Sequence, residues 1–240
     1  MSIAVSTQPL DTSVADRSRR IVHKTRGHGH GRITRLMSPS DLGEVVKPFV
    51  FLDLFEGDMR EMQKAMAIHP HSGIATVTVF TRGDVRFEDP EAGEGVIAYG
   101  GVEWMRAGGG VWHGKELSAG ASPTMQGFQL WVALPPELEN EPSESQYLEA
   151  GAMHAVGPAH VILGETDGVR SPVQSPEGMN YLLVTLKPGQ SWTYRPPEGH
   201  SVGWMAVAQG RVESDVPVTT GEMAVFEPGE TPMRFVGGPD

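Results

Sequence analysis

Three histidines are the residues of this chain whose types and spacing best fit metal chemistry. His69 and His71 are separated by one proline, and residues i and i+2 of an extended strand point to the same face. Two imidazoles on one strand provide half of a facial metal site of the non-haem type. His113 follows a run of glycines at 108–110, where the backbone can turn sharply or approach closely. The spacing therefore predicts a metal site formed by His69, His71 and His113.

Short strands bounded by turns must position these histidines. Residues 74–80 alternate between two faces, and the alternation sets Ala75, Val77 and Val79 on one of them. We expect these three side chains to share the cavity of the histidines if the alternation continues through the preceding bend. The turn residues at 81–84 predict a hairpin, so that the strands before and after them pair.

The composition excludes several classes of chemistry and of partner. The 240 residues include 30 glycines and 19 prolines, which separate short apolar runs. This pattern favours an all-β architecture. The chain has no cysteine, so a metal must be bound by imidazole and carboxylate groups. A formal net charge of −11 argues against direct nucleic-acid or membrane binding. The sequence shows no signal-like N-terminus and no long apolar run, and we expect a cytoplasmic protein.

Changes of composition along the chain predict two domains. Residues 1–20 are polar and without periodicity, and we expect them to form a flexible tail. Residues 21–136 form the predicted N-terminal domain with the metal site. Residues 137–157, rich in Pro, Glu, Ser and Asn, form the predicted linker. Residues 158–240 repeat the strand-and-turn pattern of the first domain, which suggests a duplicated β domain.

Five segments resemble segments of the pirin family and follow one another in the order found there. Along the chain they are 48–55 (PFVFLDLF), 68–83 (IHPHSGIATVTVFTRG), 100–113 (GGVEWMRAGGGVWH), 127–135 (GFQLWVALP) and 161–173 (VILGETDGVRSPV). The resemblance implies an all-β fold of two antiparallel jelly-roll β-barrels, a bicupin, packed face to face. It also implies Fe(II), or another divalent transition metal, in the N-terminal barrel and no metal in the C-terminal barrel.

Two positions depart from the pirin pattern. In the family a glutamate commonly stands two residues after the third histidine, whereas this chain has Lys115 there and Glu116 next. A bulge or turn at Gly114 would bring Glu116 to the metal as a fourth ligand; otherwise water completes a three-histidine site. Ala75 replaces a glutamate that commonly follows the histidine pair, so the groups that orient the ligands are altered.

The end of the chain is a further departure from the family. The second cupin of a pirin continues for at least one more strand beyond the point where this sequence stops. A different closure of the barrel, a contribution from the N-terminal segment and an incomplete C-terminal domain are all compatible with the sequence.

Two functions remain open from the sequence. A quercetin 2,3-dioxygenase-like enzyme would cleave a small aromatic substrate with O₂, and Trp104, Met105 and Trp112 would lie either along the approach to the metal or in the barrel core. Alternatively the protein is a regulatory module that contacts a protein partner and uses the metal structurally, an interpretation that Lys115 and Ala75 favour. Nothing specific favours a third class, a sugar or small-acid isomerase on the same scaffold.

Overall fold

β-Strands account for almost all of the regular structure in the computed structural model, which describes residues 18–65, 67–90 and 92–239. Most of the expected tail at 1–20 lies outside these residues. The described residues also contain one α-helix, α1 (Met59–Ala65), and two 3-10 turns at Leu42–Glu44 and Ala150–Ala152. The strands are β1 (Ile21–Thr25), β2 (His28–His30), β3 (Ile33–Met37), β4 (Phe49–Gly57), β5 (His69–His71), β6 (Ile74–Arg82), β7 (Asp84–Asp89), β8 (Gly93–Ala98), β9 (Val102–Arg106), β10 (Val111–His113), β11 (Leu117–Ala119), β12 (Met125–Ala133), β13 (Glu144–Leu148), β14 (Ala155–Val156), β15 (Ala159–Leu163), β16 (Glu165–Thr166), β17 (Val169–Arg170), β18 (Tyr181–Val184), β19 (Ser191–Tyr194), β20 (Trp204–Ala206), β21 (Arg211–Glu213), β22 (Val218–Thr219), β23 (Met223–Phe226) and β24 (Met233–Gly237).

A seven-stranded sheet with the order β13-β9-β6-β12-β4-β3-β2 forms the main layer of the N-terminal half. In its centre Leu130 of β12 lies opposite Val77 of β6, and Trp131 lies opposite Thr76. Consecutive residues of a strand point to opposite faces, so these two pairs define the two faces of the sheet. We call the face with Val77 and Leu130 the core face. The face with Thr76 and Trp131 is the histidine face, because Trp131 contacts His71.

The core face packs against the C-terminal half of the chain. Ala75, Val77 and Val79 belong to one buried cluster that also contains Ile162 and other residues of the second half. They therefore do not share the cavity of the histidines, and that expectation is wrong. Gly73 separates β5 from β6 with a φ of +70°, a conformation that glycine adopts readily. The turn at this glycine breaks the alternation between the histidine pair and β6.

A three-stranded sheet, β11-β7-β8, contributes to a second buried cluster on the histidine-face side. Phe55 and Phe80 of the large sheet pack there with Phe87 and Ile97 of the small one. β6 pairs with β9 and β12, whereas β7 pairs with β8 and β11. The turn at 81–84 thus carries the chain from one sheet to the other, and the predicted hairpin is wrong.

Three further sheets make up most of the C-terminal half, with the orders β1-β23-β20, β14-β15-β18 and β19-β24-β21-β22. β1 pairs with β23, so residues 21–25 complete a C-terminal sheet, one of the closures that the sequence left open. β13, which lies within the expected linker, pairs with β9 and extends the large N-terminal sheet. β1 thus pairs within a C-terminal sheet, and β13 pairs within the large N-terminal sheet. Backbone hydrogen bonding gives the reason, since each strand covers an edge that would otherwise be exposed.

The described strands pair only in the antiparallel sense, and the prediction of an all-β architecture is confirmed. None of the helices in the described ranges has the length and apolar character needed to cross a membrane.

Candidate metal centre

A two-stranded ribbon, β5 with β10, brings the three predicted histidines together. His113 lies directly opposite His69, and Val111 lies opposite His71. Cross-strand partners and residues two apart share a face, so all three imidazoles project from the same side of the ribbon. Their ring centroids are 4.5 Å apart for His69 and His113, and 4.9 Å apart for each of the other two pairs.

Burial favours the neutral, metal-binding form of His71 and His113. Burial, with the nearby His113 and His69, lowers the pKa of His71 to about 4. Burial also lowers the pKa of His113, although the Glu116 carboxylate opposes the shift. Nδ1 of His69 lies 2.9 Å from the carbonyl oxygen of Ala67. A carbonyl only accepts hydrogen bonds, so this nitrogen carries the proton and Nε2 is left for a metal.

The donor set fits a divalent transition metal. The three histidines each offer a ligand nitrogen, and these nitrogens all lie within 4.8 Å of one another. Nε2 of His71 and Nε2 of His113 are buried and have no hydrogen-bond partner. An unpaired buried nitrogen is costly, and a metal would satisfy both.

Glu116 and Lys115, the two candidates for the fourth position, are placed differently. β10 ends at His113, and Gly114 turns the chain with a φ of +130°. Lys115 is exposed, whereas Glu116 is partly buried with Oε2 3.9 Å from Nδ1 of His113. The same oxygen accepts hydrogen bonds from the backbone N–H groups of Gly114, at 2.8 Å, and Lys115, at 2.9 Å. Glu116 thus borders the histidine cluster, and its role as a ligand remains a prediction.

An aromatic stack supports His71 from the large sheet, and the sequence did not single it out. The ring of Trp131 meets the ring of His71 nearly edge-on at 4.9 Å and stacks on Phe51 at 4.0 Å. The guanidinium of Arg35 lies 4.3 Å from the centroid of the Phe51 ring and also binds the carboxylate of Asp53. Nε1 of Trp131 is buried without a hydrogen-bond partner, so it is a donor available to a ligand of the site.

The ion pair behind this stack is half buried. Arg35 donates from Nε to Oδ1 of Asp53 at 3.0 Å and from Nη2 to Oδ2 at 3.1 Å. The hydrogen bond to Asp53 raises the pKa of Arg35, as expected for a favourable pair. The pKa of Asp53 is raised as well, because burial of the carboxylate outweighs the attraction of Arg35. The aspartate therefore depends on its partner, and Arg35 is held in place over Phe51.

A second buried carboxyl group, Glu103, lies on the histidine face. It is 6% exposed and stands opposite Thr78 on one side and Tyr147 on the other. Burial raises the pKa of Glu103 to about 7, and the negative charges of Glu116 and Asp89 act in the same direction. A carboxyl group with this pKa can hold or release a proton near neutral pH, as acid–base groups of active sites do.

The three side chains that the sequence placed either at the metal or in the core have separate positions. Trp104 is buried in the cluster on the core face, so it is a core residue. Met105 is buried opposite Thr76, on the histidine face. Trp112 lies opposite Pro70 on the outer side of the ligand ribbon and is 70% exposed.

An antiparallel β-fold that carries such a histidine cluster defines a protein of the cupin class with a candidate metal site. The family model described as Pirin matches residues 30–132. A pirin-like protein of Caulobacter vibrioides is 32% identical over 222 residues, which cover 85% of this chain and 74% of the relative. Pirin-1 of Arabidopsis thaliana is 27% identical, with 88% of this chain and 75% of the relative covered. This chain belongs to the pirin family.

Solved structures give the same classification. The crystal structure of quercetin 2,3-dioxygenase from Acinetobacter baumannii matches with a TM-score of 0.73 and 25% identity, and covers 93% of this chain and 88% of its own. A bacterial pirin from Escherichia coli in complex with nickel(II) matches with a TM-score of 0.59 and 16% identity, over 92% of this chain and 97% of its own. The two-cupin fold class predicted from the sequence is confirmed.

Proposed function

We propose that this protein is an Fe(II)-dependent dioxygenase that acts on a small, flavonol-like aromatic substrate. The observation that carries the proposal is the pair of buried, unpartnered Nε2 atoms of His71 and His113 beside His69. Imidazole ligands suit iron among the divalent transition metals, and non-haem Fe(II) oxygenases keep open positions on the metal for their substrates. The quercetin 2,3-dioxygenase from Acinetobacter baumannii that shares this fold supports an aromatic substrate of the same kind.

The residues around the histidines have distinct roles in this proposal. Trp131 forms a flat aromatic wall beside His71, and its unpartnered N–H can orient a hydroxyl or carbonyl oxygen of a substrate. Glu103, on the same sheet face, can take up a phenolic proton because its pKa lies near neutrality. We assign Glu116 as a fourth ligand. To bind the metal, its carboxylate would have to give up the hydrogen bonds that it now accepts from the backbone N–H groups of Gly114 and Lys115.

A turnover assay tests the enzymatic proposal. Protein loaded anaerobically with Fe(II) should consume O₂ when quercetin is added, and the quercetin absorbance should fall in step. The His69→Ala variant is the control, because it removes one ligand and leaves the rest of the fold in place. Consumption no faster than that of the variant would refute dioxygenase activity on this substrate.

Metal content of two neighbouring variants tests the fourth ligand. Glu116→Ala should reduce retained iron about tenfold or more, whereas Lys115→Ala should leave it unchanged because that side chain is exposed. Full retention of iron in both variants would leave a three-histidine site and remove Glu116 from the ligand set.

A specific observation also favours a second candidate function, a regulatory module that binds a protein partner. Trp112 is 70% exposed and lies on β10, and Ile68 is 45% exposed and directly precedes β5, so both are next to the histidines in the chain. A partner that docks on this ribbon would sense whether the metal is bound. Affinity capture with wild-type protein and with Trp112→Ala, each with and without chelator, would distinguish this function. A stoichiometric partner lost in the variant supports it, and the absence of one counts against it.

A further inference from the structure

A cavity separate from the histidine cluster lies between the C-terminal strands and the large sheet. It has a volume of about 880 Å³ and lies among β18, β19, β20 and β24, with Phe49 and Phe128 of the large sheet at one side. Cavities of about 300–1,000 Å³ are the usual size for small-molecule ligands. The volume is thus sufficient for a ligand of two or three fused or linked rings.

Aromatic side chains make up much of the wall. Trp192 stacks on Phe235 with ring centroids 5.8 Å apart, and Trp204 meets the edge of Phe49 at 5.5 Å. Tyr181 lies beside Trp204 at 5.8 Å. All of them line the cavity. Flat, polarisable surfaces at several sides favour a planar ring system over an aliphatic chain.

The lining of the cavity has no carboxylate, in contrast to the protein as a whole. The chain has 30 acidic residues and a net charge of −11, yet no aspartate or glutamate is among the described residues that line the cavity. The basic residues of the lining are His200, Lys47, which forms an ion pair with Glu44, and Arg211, which forms one with Glu213. A lining without carboxylates does not repel a negatively charged ligand, although the protein as a whole is acidic.

A buried arginine favours such a ligand. Arg19 is 1% exposed; its Nε donates to the carbonyl of Glu227 at 2.9 Å and its Nη2 donates to the carbonyl of Ser201. Its Nη1 is buried with no hydrogen-bond partner. This nitrogen lies directly behind Gly203 and Met233, two residues of the cavity wall: a methyl group added at Gly203 would stand 3.1 Å from Nη1 and 3.1 Å from Sδ of Met233.

One hydroxyl group is positioned to bind the ligand. The oxygen of Tyr194 accepts a hydrogen bond from Nδ2 of Asn180 at 2.9 Å, and both residues line the cavity. A phenol that accepts one hydrogen bond keeps its own proton for another acceptor. Burial raises the pKa of Tyr194, so the hydroxyl stays protonated and can donate.

We infer that the C-terminal cavity is a second ligand site, independent of the histidine cluster, for a planar aromatic anion such as an aromatic carboxylate or sulfonate. The rings lie between the aromatic walls, the Tyr194 hydroxyl donates to the anionic group, and the charge of Arg19 stabilises it through the wall at Gly203. The inference does not rest on the dioxygenase proposal, because it uses no residue of the metal site.

Two fluorescent probes with the same ring system test the inference. 1-Anilinonaphthalene-8-sulfonate is an anion, and N-phenyl-1-naphthylamine is its neutral counterpart. Both probes should bind saturably, with one molecule per chain. Energy transfer from the tryptophans of the wall to the bound probe should be detectable. Arg19→Gln should weaken binding of the sulfonate about tenfold, the typical value of an interaction with a charged group, and leave the neutral probe nearly unchanged. Arg20→Gln, an adjacent exposed arginine, is the matched control and should alter neither probe.

Two further variants keep the test decisive. Tyr194→Phe keeps the ring and removes only the hydroxyl, so it should weaken the sulfonate about threefold or more, and it decides the question if Arg19→Gln does not fold by circular dichroism. His69→Ala should leave both probes unaffected. Equal effects on the two probes would refute the selectivity for anions. Loss of binding in His69→Ala, or binding that does not saturate, would refute a site in the C-terminal cavity.

Discussion

Replacing Glu103 with glutamine should change how the stability of the protein depends on pH. In the folded protein burial raises the pKa of Glu103 to about 7, against 4.5 for an ordinary glutamate. The folded state therefore keeps a proton that the unfolded state has lost between these two values. Stability must fall as the pH rises through this window, because the unfolded state binds fewer protons there. Glutamine has nearly the same shape and cannot ionise, so the variant escapes this loss.

The expected size of the effect follows from the shift. Each unit of pKa corresponds to about 1.4 kcal/mol, so a rise from 4.5 to about 7 destabilises the folded protein by about 3 kcal/mol once both states are ionised. Between about pH 5 and about pH 8 the variant should gain roughly 2–3 kcal/mol of unfolding free energy relative to wild type. Urea unfolding of metal-free protein at both pH values, followed by tryptophan fluorescence, measures this difference.

The control separates burial from charge in general. Glu88→Gln changes an exposed glutamate on β7, and the gap between that variant and wild type should not change with pH. The other side chains are the same in wild type and in both variants, so we expect their contributions to cancel in the comparison. A gap for Glu103→Gln that is constant across the range, or one that shrinks as the pH rises, would show that the carboxyl group is hydrated and that the reasoning is wrong.

Other predictions concern the support of the site and the turns that build it. Arg35→Met should destabilise the protein by about 2–3 kcal/mol, less than for a fully buried pair because Arg35 is half exposed, and Asp53→Asn in the same chain should restore most of the loss in urea unfolding. If the double variant does not regain the lost stability, packing over Phe51, and not the unpaired charge, accounts for the loss of unfolding free energy. Gly108→Ala should lower the thermal midpoint strongly, since its φ is +53° and an added Cβ would lie 1.9 Å from a carbonyl oxygen. Gly73→Ala, with a φ of +70° but open space around it, should cost only about 1 kcal/mol, and equal losses in the two variants would contradict the steric argument.

The shared face of His69 and His71 was predictable because it depends on a local rule, whereas His113 joins them through the pairing of β5 with β10. Residues two apart on a strand share a face whatever the rest of the fold does, and the proline between His69 and His71 keeps that segment extended. Gly114 was likewise expected to turn the chain, and its φ of +130° places Lys115 in solvent and Glu116 beside His113. In each case a few neighbouring residues determine the geometry.

The features that the sequence did not predict depend on distant pairing. The turn at Gly73 interrupts the alternation of side chains between β5 and β6. The prediction therefore placed the apolar side chains of β6 on the face of the histidines, whereas they lie on the core face. Trp131 reaches His71 only because β12 lies beside β6 in one particular register. Glu103 is buried because two further strands flank it. Alternation identifies two faces of a strand, but only the tertiary fold decides which of them meets the histidines.

The large sheet couples the two halves of the molecule physically. On β6, Val77 packs in the core shared with the C-terminal half while its neighbour Thr76 lies opposite Trp131, which contacts His71. The two faces of this one strand thus pack against different parts of the molecule. A divalent metal held by His69, His71 and His113 would stabilise the folded state by linkage, because it would bind the folded chain more tightly than the unfolded one.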